Sequence, residues 1–313
     1  MIHRFRVDSV GPPLRLDIFL HERVPEMSRG AIRGVIDLGG VHVDGRRVRR
    51  NSLELTPGQQ VEMHLDRGDR DPFRLSAATI IYQDDDLLAV NKPAGINTQP
   101  TPARYQGTMY EAVQVWLGRD RRFGRKLEIG MVQRLDRDTS GVMVFSIHPR
   151  AHGPLADQFH GRRVRKFYLA IVAGIPEPGR GEFTSSLVRD RRRNRVRSVD
   201  DGGRQALTRY RVLQSRAATS LVLVELVTGR MHQIRAHFSE AGYPLIGDMR
   251  YGGPATVDGR EFPHQCLHSW VIRLNHPRSG EAMELVAPPP AVMDWPVLGS
   301  TDLDRKGLLD LSS

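Results

Sequence analysis

The sequence predicts an α+β protein of two domains. The larger should hold a mixed, largely antiparallel central sheet with flanking helices, and a small α/β domain should precede it. Three observations carry this. Strand-length apolar runs recur through residues 75–299, helical patterns among them are few, and a polar seam at Arg67-Gly68-Asp69-Arg70-Asp71-Pro72 separates two patterned regions. The domains are therefore expected at 1–70 and 75–299, with 300–313 a polar, frayed tail. In the first, Leu14-Arg15-Leu16-Asp17-Ile18-Phe19-Leu20 begins an amphipathic helix, and Ser28-Arg29 caps a second one carrying Ile32, Val35, Ile36 and Leu38. Gly39-Gly40 stops that helix. Val41-His42-Val43 reads as a short strand, Asp44-Gly45 as a hairpin turn, and Val61 to Leu65 as an alternating closing strand. In the second domain, Thr79 to Tyr82 and Leu87 to Val90 flank an Asp84-Asp85-Asp86 turn as a hairpin. Met109, Ala112, Val113, Trp116 and Leu117 keep the spacing of a buried helix face, while Val142 to Phe145, 166–175, 207–215 and 220–227 read as strands. Residues 188–205 are arginine-rich and poor in apolar side chains, which suits either a mobile arm that clamps phosphates or a loop kept soluble by its charge.

Charge narrows the partner. With 46 Lys and Arg against 36 Asp and Glu, the formal net charge of +10 favours a polyanion. Only Lys92, Lys126, Lys166 and Lys306 are lysines, and arginine suits bidentate phosphate contact and stacking on bases. No stretch approaches the roughly 20 apolar residues of a membrane span, and Met1 to Arg6 open no signal-peptide core. A cytoplasmic protein with no membrane partner is expected, monomeric by default. Cys266 is the single cysteine, a small buried hydrophobe by expectation, which excludes an internal disulfide and a cysteine-based zinc cluster. His232 and His237 lack the His-Glu-x-x-His arrangement, so no metal is expected.

The run Gln133-Arg134-Leu135-Asp136-Arg137-Asp138-Thr139-Ser140-Gly141 is the most informative in the chain. It sets a carboxylate beside an arginine, in a polar turn that leads into an apolar strand, where catalytic groups are often held. A plain Asx or hydroxyl turn would need no function. A calcium loop would require Glu where Ile147 stands, and an aspartic-protease dyad would require a second Asp loop that is missing.

This stretch resembles the His-Arg-Leu-Asp-x-x-Thr-Ser-Gly signature of the RluA-type pseudouridine synthases. Further segments in order also match that family: Leu88-Ala89-Val90-Asn91-Lys92-Pro93-Ala94-Gly95, Lys166-Phe167-Tyr168-Leu169-Ala170, and Thr228-Gly229-Arg230-Met231-His232-Gln233-Ile234-Arg235. Pro244 to Asp248, Tyr251-Gly252, Leu267-His268 and His276-Pro277 follow. Any one of these arises by chance; the ordered set does not. Gln133 stands where the family usually has His, though its amide still offers hydrogen bonds. That departure is the one feature favouring a non-catalytic RNA-binding protein of the same fold.

The resemblance implies the pseudouridine-synthase fold, isomerisation of uridine in RNA, and no cofactor. It implies Asp136 as nucleophile, Arg235 as its ion-pair partner, and Tyr168 stacking on the target base and helping to remove the proton from carbon-5. Arg134 would fill the space left by the flipped nucleotide, Ile234 and Leu267 would wall the pocket, and Asn91 and Lys92 would shape the site or touch phosphate. The first domain resembles the RNA-binding module named after the fourth small-subunit ribosomal protein, with Arg29, Arg33, Arg46, Arg47, Arg49 and Arg50 on its basic face. That appended module favours large-subunit (23S) ribosomal RNA over transfer RNA as substrate.

Overall fold

The computed structural model of the chain describes residues 2–8, 14–37, 39–65, 72–100, 107–119, 129–190, 193–293, 309 and 311. Leu38, the seam at 67–71, Arg191, Arg192 and the tail other than Leu309 and Leu311 lie outside the described residues. Contacts divide the chain into two units, Met1–Leu75 with Ile96–Arg125, and Ser76–Gly95 with Lys126–Ser313. The division departs from the linear 1–70 and 75–299 reading because the chain returns to the first unit at Ile96. There Arg47 Nη1 donates to the Pro100 carbonyl at 2.8 Å, and the Arg49 guanidinium lies 5.6 Å from the Tyr110 ring of α3 (Met109–Leu117).

In the first unit, β1 (Ile2–Arg6), β2 (Val41–Val43), β3 (Arg46–Val48) and β4 (Gln60–His64) form an antiparallel sheet in the order β1–β4–β2–β3. Helices α1 (Leu16–Arg23) and α2 (Arg29–Asp37) share a core with it, Phe19, Leu20, Ile32 and Ile36 meeting Val41, Val61 and Met63. The first helix starts at Leu16 rather than Leu14 because Leu14–Arg15 pairs with Glu54–Leu55. Ser28 caps α2 by accepting from the Ala31 amide, and Gly39, at φ +82°, lets the chain leave it. Arg29 and Arg33, expected on the basic face, keep part of their side chains exposed while bonding, with Arg15, to the buried carboxylate of Asp17. Burial opposes ionisation of Asp17, but the hydrogen bonds from Arg33, Arg15 and Arg29 outweigh it and hold its carboxyl at about 2. Arg46, Arg49 and Arg50 are exposed around the hairpin.

The second unit is built on an eleven-stranded sheet. Its main strands are β5 (Ile80–Gln83), β6 (Leu87–Lys92), β7 (Ser140–Ser146), β8 (Arg165–Ala173), β9 (Arg180–Asp190), β10 (Arg195–Val199), β11 (Arg204–Arg216), β12 (Thr219–Leu226) and β13 (Leu267–Asn275). They lie in the order β10–β9–β11–β12–β8–β13–β7–β6–β5; β14 (Ala282–Val286) pairs with β13, and Gly130–Met131 pairs with β7. Every pairing is antiparallel except β7 with β13, so the expected mixed, largely antiparallel sheet is present. Alternation on β8 sends Phe167, Leu169 and Ile171 into a core with Leu221, Leu223 and Trp270. Among the described residues two α-helices, α4 (Pro149–His160) and α5 (Gln233–Glu240), accompany the sheet.

Two expectations are corrected. Residues 188–205 are not an irregular arm: 188–190 end β9, 195–199 form β10, and 204 begins β11. Leu187 and Val196 anchor this hairpin by packing with Ala236 of α5 and with Tyr251, leaving Arg189, Arg193 and Arg197 exposed. The tail is not simply frayed, since Leu309 and Leu311 are buried in the core beneath β8 and Arg165 Nη2 donates to the Leu309 carbonyl.

Gly141 lies where β7 meets β13, in register with Ser269. Its φ is +114°, and a Cβ there would collide with the Ser269 carbonyl and amide. Gly141→Ala is expected to cost about 3 kcal/mol, from backbone strain together with overpacking. Urea denaturation reads it, and an unshifted midpoint would contradict this account of the strand contact.

Candidate active site

Asp136 stands in the loop before β7, with its side chain 26% exposed. That loop is tied down along its length. Thr139 Oγ1 accepts from Gln265 Nε2 at 3.1 Å, and Ser140 Oγ meets His268 Nδ1 at 2.8 Å. Because His268 Nε2 faces the Ala287 carbonyl at 3.0 Å, it carries the hydrogen, and Ser140 donates to Nδ1. Burial lowers that imidazole to about 4, consistent with a neutral ring. The fully buried Lys92 Nζ donates to the Pro93 and Arg137 carbonyls, each at 2.8 Å. Gln133 Nε2 donates to the Val142 carbonyl at 3.2 Å, so the residue that departs from the family pattern still joins the loop to β7.

On the opposite side, α5 is fixed to the sheet through Gln233. Its Oε1 accepts from Thr228 Oγ1 and the Arg230 amide, and its Nε2 donates to the Leu207 carbonyl and Thr208 Oγ1. This anchorage sets Arg235, whose side chain is 6% exposed. Arg235 Nε and Nη2 donate to the two oxygens of Asp248 at 2.6 and 2.8 Å, and Nη1 donates to Asp136 Oδ2 at 2.8 Å. Its guanidinium also lies 4.9 Å from the centre of the Tyr251 ring. Burial would lower the pKa of Arg235, but hydrogen bonding and charge from Asp248, then from Asp136, reverse this and raise it. The guanidinium is therefore a permanent cation shared by two carboxylates, of which only Asp136 is appreciably exposed.

His232, just before α5, adopts φ +52°. The Tyr251 hydroxyl accepts from the Val196 amide at 2.8 Å, leaving its own hydrogen for His232 Nδ1 at 3.0 Å. The second ring nitrogen then carries the imidazole hydrogen and faces Asp136 Oδ2 at 3.7 Å. Burial lowers His232 to about 4. Among the described residues both partners of the Asp136 carboxylate thus address Oδ2.

Arg134, Asp136, Tyr168, Ile234, Arg235 and Leu267, all singled out from the sequence, line one cleft with about 360 Å³ of open space. Sheet order explains the meeting, because β8, β13 and β7 are neighbours and carry or follow Tyr168, Leu267 and Asp136. Alternation on β8 turns Tyr168 away from the Phe167 and Leu169 core toward the cleft, and the register with β13 shifts at this point, Trp270 being skipped. Burial pushes the Tyr168 phenol up to about 12. Asn91 and Lys92 do not line this cleft: Asn91 Nδ2 donates to the Pro288 carbonyl at 3.3 Å, and Lys92 is enclosed beneath the Asp136 loop. Asp248, His232, Gln233, Tyr251 and His268 sit within the matched motifs, but the sequence reading attached no role to them. Their motif membership was the available signal; their contacts needed the fold.

The family model described as RNA pseudouridylate synthase matches residues 86–240, and that of the S4 domain matches 14–61. An uncharacterized RNA pseudouridine synthase of Chloroflexus aurantiacus is 39% identical over 283 residues, covering 88% of this chain and 87% of the relative. Ribosomal large subunit pseudouridine synthase D of Pseudomonas aeruginosa is 33% identical over 293 residues, covering 90% of each. Among solved structures, human RNA pseudouridylate synthase domain containing 4 aligns with a TM-score of 0.56 at 25% identity, covering 68% of this chain and 89% of that one. Human RNA pseudouridylate synthase domain containing 1 aligns at 0.55 and 26%, covering 75% and 96%. The chain is an isomerase that acts on uridine in RNA and carries an S4 RNA-binding domain. It belongs to the RNA pseudouridine synthase family, in its RluA-type branch.

Burial lowers Lys92 from its usual 10.5 to about 7, with Asp138 and Asp136 opposing the shift. Between those values the unfolded chain binds more protons than the folded one, so this group makes stability rise with pH across that window. Lys92→Met is expected to flatten that rise in denaturation midpoints taken from about pH 7 to 10. An unaltered slope would show that the ammonium is not titrating there.

Proposed function

We propose that this synthase isomerises specific uridines of large-subunit ribosomal RNA, with Asp136 as nucleophile, Arg235 as the cation that holds it, and Tyr168 against the flipped base. The observation that carries the reading is the 2.8 Å contact from Arg235 Nη1 to Asp136 Oδ2 in the cleft that Tyr168 also lines. The large-subunit assignment leans on the relatives named for that RNA and on the S4 domain, with residues 1–70 kept as the RNA-binding part. We place the enzyme in the cytoplasm, acting as a monomer.

In this scheme the target nucleotide leaves its stack at a cost of a few kcal/mol, and exposed Arg134 enters the gap. Stacking on Tyr168 returns about 1–3 kcal/mol. Asp136 attacks the anomeric carbon while the N1 bond breaks, its electron pair leaving with the uracil. The base turns, carbon-5 attacks the same sugar carbon, and the carboxylate is displaced. Net, one proton moves from carbon-5 to N1. Since Tyr168 is held as a neutral phenol, it takes the carbon-5 proton only while passing on its own; the acceptor we assign is the released Asp136 carboxylate, which gives that proton up to N1 through solvent as the product leaves, so both side chains return to their starting states. The cleft must stay dry throughout, or water would capture the sugar. Arg189, Arg193 and Arg197 on the β9–β10 hairpin supply phosphate contacts at the end of the sheet, and Arg46, Arg49 and Arg50 supply others on the S4 domain.

Asp136→Asn is expected to abolish conversion while RNA binding stays within about threefold of wild type, read by chemical labelling of pseudouridine and by filter binding. Normal turnover by this variant would sink the assignment. Asp248→Asn should lower kcat by about 10–100-fold with KM little changed, because it frees the guanidinium that orients Asp136. A wild-type kcat would remove Asp248 from the mechanism. Mapping pseudouridines in RNA from cells with and without the gene tests the substrate, and unchanged 23S sites would overturn the large-subunit reading.

A further inference from the structure

We propose that His42, Glu62 and His64 form a site for one divalent transition-metal ion of the zinc class in the N-terminal sheet. The three are dispersed in sequence, and cross-strand register gathers them. His42 on β2 is the register partner of Glu62 on β4, and His64 follows two residues later, so all three share a face. Val41, Val43, Val61 and Met63 fill the opposite, core-facing positions. One ligand atom from each of the three lies within 4.8 Å of the others. The two imidazoles meet edge to face with centroids 5.1 Å apart, each residue only 7% exposed.

Their nitrogens are unsatisfied. His42 Nδ1 and both nitrogens of His64 are buried with no hydrogen-bond partner among the described residues; Glu62 Oε2 stands 3.7 Å from His64 Nε2, beyond hydrogen-bond range. Buried donors and acceptors are normally paired, and a group left without a partner calls for one. Burial lowers the pKa of both imidazoles, which leaves them neutral with lone pairs to offer. Bonds of about 2.0–2.2 Å would put donors about 3.4 Å apart in a tetrahedral set, so ligation would draw the three atoms closer than the 4.8 Å within which they now lie. Arg4 Nε bonds Glu62 Oε1 at 2.8 Å, and the charge of Arg47 bears on His42. These cations oppose a hard ion held mainly by charge, whereas two imidazoles and one carboxylate suit zinc, with a fourth position for water. Such an ion would staple β4 to β2, the first strand of the hairpin that carries Arg46 and Arg47.

The test uses the full, tag-free chain, stripped with chelator and titrated with Zn²⁺ alone against a chromogenic competitor. One equivalent should bind with a dissociation constant in the micromolar range or tighter, and the denaturation midpoint should rise. His42→Gln and His64→Gln should each weaken binding by about tenfold or more and erase the zinc-dependent rise. Binding weaker than about 100 μM, or unchanged in both variants, overturns the site. If either imidazole variant fails to fold, Glu62→Gln carries the same prediction, since its side chain is 32% exposed. Unaltered Zn²⁺ affinity in that variant also overturns it.

Discussion

One guanidinium organises the catalytic unit. Arg235 is buried and shared, gripped on two sides by Asp248 and extended toward Asp136 with its remaining nitrogen. A carboxylate entering a partly closed cleft loses hydration and drifts toward its neutral form unless a cation meets it. Here the cation is itself secured by Asp248 before it meets Asp136, so little reorganisation is left in the pair. Loosen the Asp248 pair and the aim of Asp136 becomes variable.

The rest of the unit maintains that geometry from both ends. Gln233 uses its amide oxygen and nitrogen to pin the start of α5, while Lys92, Gln265 and His268 pin the loop opposite. The parallel contact of β7 with β13, permitted by the missing side chain of Gly141, brings the Asp136 loop beside the strand that flanks Tyr168. Val196, Tyr251 and His232 then form a hydrogen-bonded line from the arginine-rich hairpin that ends with His232 Nε2 at 3.7 Å from Asp136 Oδ2. The hairpin is therefore structurally continuous with the site through these residues.

Charge is similarly managed in the S4 domain. Asp17 is buried and ionised, and three arginines converge on it, so this cluster keeps positive charge at the surface while its members are held in fixed positions. Arginines ordered before they meet phosphate lose less side-chain entropy on binding than free ones. Counting basic residues alone misses that Arg29 and Arg33, though partly exposed, are tethered to Asp17.

Much was legible in the chain itself, because some chemistry is local. Strand and helix periodicity, the Asp44-Gly45 turn, the Ser28 cap and the Gly39 stop depend on neighbouring residues, and the ordered motifs named six of the side chains that line the cleft. Other features were beyond local reading. The 188–205 segment looked irregular because Leu187 and Val196, its apolar anchors, are satisfied by Ala236 and Tyr251, far along the chain. For Lys92 the chain left open whether it shapes the site or touches phosphate, because sequence records a charge but not its burial beneath the Asp136 loop. The amino-acid order by itself determined the class of chemistry and the residues available for it. Only the tertiary structure decided which oxygen of Asp136 is held, that Asp248 and His232 attend it, and that His42 meets His64, since each depends on sheet register and packing between residues distant in sequence.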